Sequence, residues 1–385
     1  MWNEIIQPVK IVADENIPQI ATAFAALGQV ELLPGRQITR DQLRDCQCLL
    51  VRTVTSIDRN LLQDTPVEFI GSATIGTDHV DLSYLNQQGI AFSNAAGCNA
   101  EAAAEYVISG LFALSQRKGF DPFSRRAGII GCGNVGSKLK GKLQALGIET
   151  LICDPPKAEL DQTDTPYVNL ETIISECDLI SLHVPLTQEG KYPTHHLFNY
   201  QRLSKLRKGC LLVNAARGPV VDNLALEQVI LERPDLITFL DTWENEPNPS
   251  RTLLEKVDLA TPHIAGYSVE GRLWGTQMIL DAANEYFGQK SSWRYGSSLP
   301  ESIQLKPIAT DSKLDYFQQL FEQHHPIWQD HLALTNSAHF SSSEFTSHFD
   351  SLRRVYPERF EYERYRIDGE DHDKFVAMTR ELLFR

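Results

Sequence analysis

Short apolar runs alternate with segments of helical periodicity over the first hundred residues. The runs VKIVA, CLLV, VEFIGSA and IAFSN each precede a stretch whose apolar residues recur at helical spacing. Strands that alternate with helices predict a mostly parallel sheet with helices on both faces. The alanine-rich stretch that follows Asn99 predicts a long helix with Asn99 as its N-cap.

A second series of the same kind begins at AGIIG and ends at LATPHIAG. Between them lie ETLICD, DLISLHV, CLLVNAA and LITFLD, which are enough strands for a complete doubly wound domain. The next stretch, YSVEGRLWGTQMILDAANEYFGQ, predicts one more helix that ends near Gly288. From residue 290 onward the alternation stops, and His, Phe, Ser, Arg and Asp become frequent. We therefore predict a separate small domain there.

The composition narrows the class of protein. The chain has 385 residues and a net charge of −14, with 42% hydrophobic and 22% charged residues. An acidic surface repels nucleic acid and anionic lipid, so an anionic ligand requires a local basic pocket. The first residues carry no signal-peptide pattern, and no apolar run reaches membrane-spanning length. We expect a soluble cytoplasmic enzyme of two or three domains that binds neither nucleic acid nor membranes.

The seven cysteines are odd in number and scattered, which is not typical of a disulfide framework. We expect buried free thiols. Cys46 and Cys48 lie close together and lack a second Cys/His pair at useful spacing, so they do not indicate zinc. The sequence predicts no metal site.

The loop GCGNVG has the spacing G-x-G-x-x-G and lies between an apolar strand and a helical pattern. In this context Gly131 permits a tight turn, Gly133 lets the backbone approach a pyrophosphate, and Gly136 lets the helix pack on the strand. Phosphates would lie at the positive end of the helix. The predicted dinucleotide loop comprises Gly131, Gly133, Asn134, Val135 and Gly136.

Asp154 ends the next predicted strand. A carboxylate there can accept hydrogen bonds from both hydroxyls of the adenosine ribose and repels a 2′-phosphate, which favours NAD over NADP. A site for S-adenosylmethionine, which can also use an acidic residue to bind ribose, is the alternative at this point.

Four polar residues follow later strands: Arg217 after CLLVNAA, Asp241 and Glu246 after LITFL, and His263 within LATPHIAG. Ligands of doubly wound sheets bind at the carboxyl ends of the strands, so all four are expected at one functional edge. Each alone has an ordinary structural explanation, such as a turn cap or a solvated loop. Their coincidence at one edge favours a catalytic site.

The motifs GCGNVG, NAARG, ENEP and TPHIAG occur together in the order found in the D-isomer-specific 2-hydroxyacid dehydrogenases, and the chain resembles that family. The resemblance implies an α/β chain with two doubly wound parallel-sheet lobes, a flavodoxin-like substrate lobe and a Rossmann NAD lobe, followed by a small α+β C-terminal domain. The implied boundaries are 1–98 with 266–289 for the discontinuous substrate-binding domain, 99–265 for the NAD-binding domain and 290–385 for the C-terminal domain.

The resemblance also implies that Arg217, Glu246 and His263 are catalytic and that Asp241 binds the nicotinamide carboxamide. Of the two acids in ENEP, the family pattern favours Glu246 over Glu244. Oxidation of a 2-hydroxy acid requires a base for the hydroxyl proton, a hydride acceptor and a cation for the carboxylate. His263 can take the proton, Glu246 can orient its imidazole, and Arg217 can bind the carboxylate.

The stretches GCNAEAAAEYV, AGYSVEG and LRRVYPERFEY resemble one branch of the family more selectively. That branch oxidises a phosphorylated 2-hydroxy acid of four carbons in pyridoxal phosphate biosynthesis and forms homodimers through its C-terminal domain. The resemblance implies substrate contacts at Thr53, Thr74 and Tyr267. The implied NAD contacts beyond the glycine loop and Asp154 are Val184, Ala215, Ala216, Arg217, Asp241 and Gly266. Two positions depart from the pattern, because Thr53 replaces a serine and Val184 replaces a threonine.

Two further candidates follow from position alone. Arg52 follows CLLV and Gly76 follows VEFIGSA, both at carboxyl ends of predicted strands. Backbone amides around Gly76 could hold a carboxylate, and Arg52 could bind a phosphate. A surface salt bridge is an equally good explanation for Arg52.

Two other functions stay open at the level of sequence. The substrate could be another small 2-hydroxy acid, such as phosphoglycerate or a glyoxylate-type acid. Alternatively, the chain could sense NADH without turning over a substrate. The complete set of Arg217, Glu246 and His263 weighs against the second alternative.

Overall fold

A computed structural model describes residues 8–160, 166–306 and 308–367, together with Phe375 and Thr379. The chain divides into a first unit, Met1–Asn99 with Ser268–Leu299, and a second unit, Ala100–Tyr267 with Pro300–Arg385. The strands are β1 (Val9–Asp14), β2 (Gly28–Leu33), β3 (Cys48–Val51), β4 (Phe69–Ser72), β5 (Ala91–Asn94), β6 (Arg126–Ile130), β7 (Glu149–Cys153), β8 (Leu179–Leu182), β9 (Leu211–Asn214), β10 (Ile237–Leu240), β11 (Leu259–Ala260), β12 (Ile303–Leu305) and β13 (Tyr365–Ile367). The α-helices are α1 (Ile20–Phe24), α2 (Arg59–Leu62), α3 (Leu82–Gln88), α4 (Ala100–Lys118), α5 (Asn134–Ala145), α6 (Pro155–Leu160), α7 (Leu170–Glu176), α8 (Tyr200–Ser204), α9 (Asn223–Glu232), α10 (Arg251–Lys256), α11 (Val269–Tyr286), α12 (Lys313–His324), α13 (Ile327–Thr335) and α14 (Ser342–Arg354).

The first unit contains a five-stranded parallel sheet in the order β2-β1-β3-β4-β5. Successive residues of β1 point to opposite faces, as the strand period requires. Ile11 therefore packs in the core that contains Phe24 and Ile279, whereas Val12 packs in the core that contains Leu62 and Leu85. The strand order is that of flavodoxin-like sheets, which confirms the predicted flavodoxin-like lobe.

The second unit contains a six-stranded parallel sheet in the order β11-β10-β9-β8-β6-β7. Strands β8, β9 and β10 are buried along their whole length, because helices cover both faces of the sheet. The strand order reverses between β6 and β8, which is where a doubly wound sheet binds its ligand. The Rossmann lobe predicted from the sequence is confirmed.

The residues after 300 pack on the second unit. Helices α12 to α14 and the parallel pair β12–β13 form an α+β segment. Its buried aromatic side chains share a core with α4, and the rings of Phe321 and Phe112 lie 4.7 Å apart. The structure therefore joins this segment to the NAD-binding lobe in one unit, and the three-domain division proposed above stays a prediction.

All seven cysteines are buried and free, as predicted. Burial raises the pKa of Cys46, Cys177 and Cys210 to about 12, so these thiols stay protonated at neutral pH. Among the described helices, none combines the length and the apolar character that crossing a bilayer would require.

Candidate active site

His263 and Glu246 form a direct pair at the carboxyl edge of the second sheet. His263 follows β11, Glu246 follows β10, and the imidazole Nδ1 lies 2.7 Å from the carboxylate Oε2. The side chains are 33% and 21% exposed, respectively, so the pair is reachable by a small molecule. The Nε2 atom of His263 makes no hydrogen bond within the described residues. The ring is therefore held at one nitrogen and open at the other.

Glu246 is the charged partner of this pair. Burial alone would raise its pKa, but the charge of His263, the hydrogen bond with His263 and the charge of Arg353 outweigh burial, and the pKa is lowered. Its second oxygen, Oε1, accepts a hydrogen bond of 2.8 Å from the backbone N–H of Trp243. Both carboxylate oxygens are thus fixed, and the orientation of the His263 ring follows from them.

Asp241 organises the loop that carries His263. It is 1% exposed, and its carboxylate accepts hydrogen bonds from the Thr261 hydroxyl and from the backbone N–H groups of Ile264 and Ala265. Burial raises the pKa of Asp241, although the charge of His263 and these donors oppose the rise. Its predicted contact with the nicotinamide carboxamide stays a prediction, whereas its structural role is visible.

Arg217 lies at the end of β9, beside the loop of Glu246. The Asn214 side chain donates a hydrogen bond of 2.9 Å to the Arg217 carbonyl oxygen and accepts one of 3.2 Å from the N–H of Ala216. A Cβ atom on Gly218 would lie 1.9 Å from the carbonyl oxygen of Trp243, so only glycine permits the two loops to approach so closely. The loops of Arg217 and Glu246 are therefore packed together.

Sequence reasoning missed the residues that connect these loops. Trp243 is 2% exposed, and its indole N–H donates a hydrogen bond of 2.9 Å to the carbonyl oxygen of Thr261, which joins the Glu246 loop to the His263 loop. Asn214 fixes the Arg217 loop from within, through its hydrogen bond to the Arg217 carbonyl oxygen. The available signal was their place inside the motif-bearing stretches DTWENEP and LLVNAARG.

The glycine loop has the geometry of a dinucleotide site. Gly131 has φ +85°, and a Cβ atom on it would lie 2.7 Å from the carbonyl oxygen of His183. A Cβ atom on Gly136 would lie 2.0 Å from the carbonyl oxygen of Gly131. A Cβ atom on Gly133 would meet no protein atom within 4 Å, so packing within the chain does not require glycine there. Close approach of a pyrophosphate would require it, and the loop fits NAD.

Two other predicted NAD contacts adjoin this loop. The carboxylate of Asp154 accepts hydrogen bonds from the backbone N–H of Cys132, at 2.8 Å, and of Lys157, at 3.1 Å. Val184 would lie 2.8 Å from a Cβ atom on Gly131, so it packs against the first glycine without a hydroxyl. The remaining predicted NAD residues near the strand ends are the exposed Asn134, the half-buried Val135, Ala215 and Gly266, and the buried Ala216.

Arg52 forms a partly buried salt bridge in the first unit. Its Nε and Nη2 atoms lie 2.9 and 3.3 Å from the two carboxylate oxygens of Asp14, which is fully buried. The pair spans the ends of β1 and β3, where the order of this sheet reverses. The salt bridge is one of the two explanations that the sequence left open, and phosphate binding by Arg52 stays a prediction.

The other first-unit candidates differ in exposure. Thr53 is exposed, Gly76 is buried, and the half-buried Thr74 shares a hydrogen bond of 2.9 Å with the Ser72 hydroxyl. Tyr267 belongs to the second unit, where it is half-buried. Their predicted contacts with substrate stay predictions.

A cluster of His195, His196 and Glu244 has ligand atoms within 4.8 Å of one another. The two imidazole rings stack with centroids 4.0 Å apart and an interplanar angle of 22°. A metal ion binds in the plane of an imidazole, so nearly parallel rings do not direct their lone pairs at one ion. We therefore propose no metal site at these three residues.

Comparison with known proteins assigns the family. The sequence model of the D-isomer specific 2-hydroxyacid dehydrogenase NAD binding domain matches residues 95–265. Erythronate-4-phosphate dehydrogenase of Pseudomonas fluorescens strain Pf0-1 is 43% identical over 365 residues, which cover 94% of this chain and 95% of that relative. The chain belongs to the erythronate-4-phosphate dehydrogenase family. The Yersinia enterocolitica member is 41% identical over 377 residues, which cover 97% of both chains. The chain is thus an NAD-dependent oxidoreductase of the D-2-hydroxyacid dehydrogenase class.

Solved structures of the wider class share the fold. An NAD-bound 3-phosphoglycerate dehydrogenase of Entamoeba histolytica has a TM-score of 0.62 and 25% identity, and the match covers 72% of this chain and 95% of that one. D-lactate dehydrogenase of Aquifex aeolicus gives a TM-score of 0.60 at 22% identity, with 72% and 95% coverage, and shows the fold alone.

Proposed function

We propose that this chain oxidises 4-phospho-D-erythronate to 3-hydroxy-2-oxo-4-phosphooxybutanoate with NAD, a step of pyridoxal 5′-phosphate biosynthesis. The observation that carries the proposal is the pair of His263 and Glu246 at 2.7 Å, beside the Arg217 loop, in a member of the erythronate-4-phosphate dehydrogenase family.

The acid–base step uses the open nitrogen of His263. Nε2 takes the proton of the C2 hydroxyl, and the carboxylate of Glu246 stabilises the resulting imidazolium through Nδ1. Arg217 binds the substrate carboxylate with its planar guanidinium. Bound NAD supplies the acceptor for the C2 hydride. In the reverse direction the His263 imidazolium returns the proton to the 2-oxo group.

The remaining predicted contacts belong to the same proposal. The loop from Gly131 to Gly136 binds the pyrophosphate, and Asp154 binds the adenosine ribose. Thr53, Thr74 and Tyr267 contact the substrate, with Arg52 and Gly76 as further candidates in the first unit. The enzyme works in the cytoplasm as a homodimer that associates through its C-terminal segment. Sedimentation as a monomer at micromolar concentration would exclude the homodimer.

A panel of NAD-linked oxidations tests the substrate. Purified protein is supplied with NAD and 4-phospho-D-erythronate, 3-phosphoglycerate, glycolate or D-lactate, and NADH formation is followed by absorbance. We expect kcat/KM to be highest for 4-phospho-D-erythronate, by about 100-fold, because a site that binds a phosphate strongly rejects acids that lack it. If the enzyme prefers another acid, that acid replaces 4-phospho-D-erythronate as the proposed substrate. Absence of turnover with every acid would favour the NADH-sensing alternative.

A further inference from the structure

Three residues of the C-terminal segment contact Tyr267. We call residues 353–359, at the end of α14 and in the turn that follows, the tail clamp. Arg359 Nε donates a hydrogen bond of 3.0 Å to the Tyr267 carbonyl oxygen. The ring of Tyr356 meets the Tyr267 ring edge-on at 5.9 Å. The Arg353 guanidinium carbon lies 5.9 Å from the Tyr267 ring centroid, within the range of a cation–π contact.

Arg359 also fixes the backbone that leads from His263 to Tyr267. Its side chain is buried, with 4% of the residue exposed, and donates to the carbonyl oxygens of Ala265, at 2.5 Å, and of Ala102 in α4, at 3.3 Å. A buried guanidinium with three carbonyl acceptors on two elements locks their relative position, since moving either element would leave a charged donor unpaired. The loop after His263 is thereby tied to the helix α4.

A buried network of polar groups anchors the chain just after the tail clamp. Glu105 of α4, 2% exposed, accepts hydrogen bonds of 3.1 Å at both oxygens from the backbone N–H of Tyr362, and Lys142 of α5 lies 3.2 Å from the same carboxylate. Such a network has one favourable arrangement, because any displacement leaves buried polar groups without partners. The clamp is therefore held in a single register on the second unit.

Arg353 brings a positive charge to the acid–base pair. Its charge is among the influences that lower the pKa of Glu246, and the charges of Tyr267 and Glu246 raise the pKa of Arg353 against the effect of burial. Its Nε–H is buried and has no hydrogen-bond partner among the described residues. A buried donor without a partner destabilises the fold, and we take this cost, together with the contact between Arg353 and Tyr267, as support for a role in the site.

This chain is longer than the solved dehydrogenases of the wider class, and the members of its own family share the additional length. The solved 3-phosphoglycerate and D-lactate dehydrogenases align over 95% of their own chains and yet cover only 72% of this chain. The Pseudomonas and Yersinia relatives cover 94% and 97% of it. The additional residues thus belong to the erythronate-4-phosphate dehydrogenase family and are not a requirement of the shared fold.

We propose that the tail clamp is part of the catalytic apparatus. Arg353 positions Tyr267, and Arg359 positions the backbone from Ala265 to Tyr267, so that His263 meets the hydroxyl of the bound acid. Both arginines act through other groups and are positioning residues. The inference deepens the proposed function, because it concerns the same site, but it does not depend on which 2-hydroxy acid the site oxidises.

The decisive comparison uses two neighbouring arginines of α14. Arg353→Met removes the charge beside the pair, whereas Arg354→Met removes an exposed charge one residue later. We expect Arg353→Met to lower kcat about 10-fold, with NADH affinity within about 2-fold and the melting temperature within about 2 °C of wild type. Arg354→Met should stay within about 2-fold of wild type throughout. Arg353→Lys, which keeps the charge, should recover part of the loss.

A double mutant shows whether Arg353 acts through Tyr267. If it does, Arg353→Met should cost less than about 3-fold in kcat when Tyr267→Leu is already present, because the aromatic ring that Arg353 contacts is already absent. If the kcat losses of the two single variants multiply in the double mutant, the proposal is wrong. It is also wrong if Arg353→Met keeps the wild-type kcat. If NADH affinity and the melting temperature fall together with kcat in Arg353→Met, Arg353 contributes to folding alone.

All variants are measured as the full chain with the 2-hydroxy acid that wild type oxidises fastest. If that acid is not 4-phospho-D-erythronate, the substrate proposal fails while the comparison of Arg353 with Arg354 is still decided. Arg359→Lys completes the series, since a single ammonium cannot reach three carbonyl oxygens on two elements. We expect a loss of kcat about as large as that of Arg353→Met, and wild-type kcat would remove Arg359 from the proposal.

Discussion

The loop after β10 carries two glutamates, and each pairs with a histidine from another part of the second unit. Glu244 and Glu246 are two residues apart, and each carboxylate lies 2.7 Å from an imidazole nitrogen, Nε2 of His196 in one pair and Nδ1 of His263 in the other. By distance alone the two pairs are equivalent. Their surroundings separate them.

In the His196 pair, both imidazole nitrogens face carboxylates. The second nitrogen of His196 lies 3.6 Å from Asp222, and Glu244 accepts a hydrogen bond of 3.0 Å from the backbone N–H of Asn223. The second nitrogen of His263 makes no hydrogen bond within the described part of the chain. Exposure does not separate the two pairs, because the His263 and His196 side chains are 33% and 35% exposed. A proton carrier needs one nitrogen held and the other available. The comparison thus supports our proposal that His263 carries the proton, and it makes His196 the matched structural pair.

Removing the histidines should give the largest difference between the pairs. We expect His263→Ala to lower kcat by about 10²–10⁴-fold, because the base for the hydroxyl proton is lost. NADH affinity, measured by fluorescence titration, should stay within about 2-fold. His196→Ala serves as the matched control and should keep kcat within about 3-fold. Near-normal turnover of His263→Ala would end the catalytic assignment.

Neutralising the carboxylates should give a smaller difference. Glu246→Gln keeps the shape of the side chain but not the charge that stabilises the imidazolium, so we expect kcat to fall about 10–100-fold. Glu244→Gln should leave kcat within about 3-fold and act on stability, since Asn223 loses a charged acceptor. Steady-state kinetics and thermal unfolding of both variants test this difference. Equal losses of kcat in Glu246→Gln and Glu244→Gln would show that the two carboxylates do not differ in their contribution to catalysis.

The sequence pointed to candidate site residues but not to their partners. Arg217, Glu246 and His263 were proposed because each follows an apolar strand within a family motif, and parallel strands place their carboxyl ends at one edge. The preference for Glu246 over Glu244 came from the family resemblance. Spacing alone could not make that choice, because both carboxylates bind a histidine in the folded chain.

Partners distant in sequence were beyond prediction. Arg52 meets Asp14 across 38 positions, and Arg359 meets Tyr267 across 92. Periodicity reports which face of a strand or helix is buried, but it does not report which buried charges meet. The fold followed from local patterns up to residue 290, whereas the docking of α12 to α14 on the second unit depends on side-chain packing between elements.

The connection between the loops offers a finer test. Trp243→Phe removes the indole donor to Thr261 and leaves the backbone N–H that holds Glu246. We expect unfolding free energy to fall by about 1–3 kcal/mol, because a buried carbonyl loses its partner, and kcat to fall a few-fold. Trp274→Phe, at a tryptophan that is 39% exposed, is the control. An unchanged free energy in Trp243→Phe would show that the loops hold together without this bond.

The smallest expected effect concerns acid stability. The pKa of Glu246 is lowered from its ordinary value of 4.5 in the folded chain, because His263 and Arg353 together outweigh burial. The unfolded chain therefore takes up this proton first as pH falls, and the stability that the carboxylate contributes above pH 4.5 is lost below it. Urea unfolding of wild type and Glu246→Gln from pH 7 downward should show a stability difference that shrinks through this range. A difference that is constant with pH would mean that Glu246 is not the charged member of its pair.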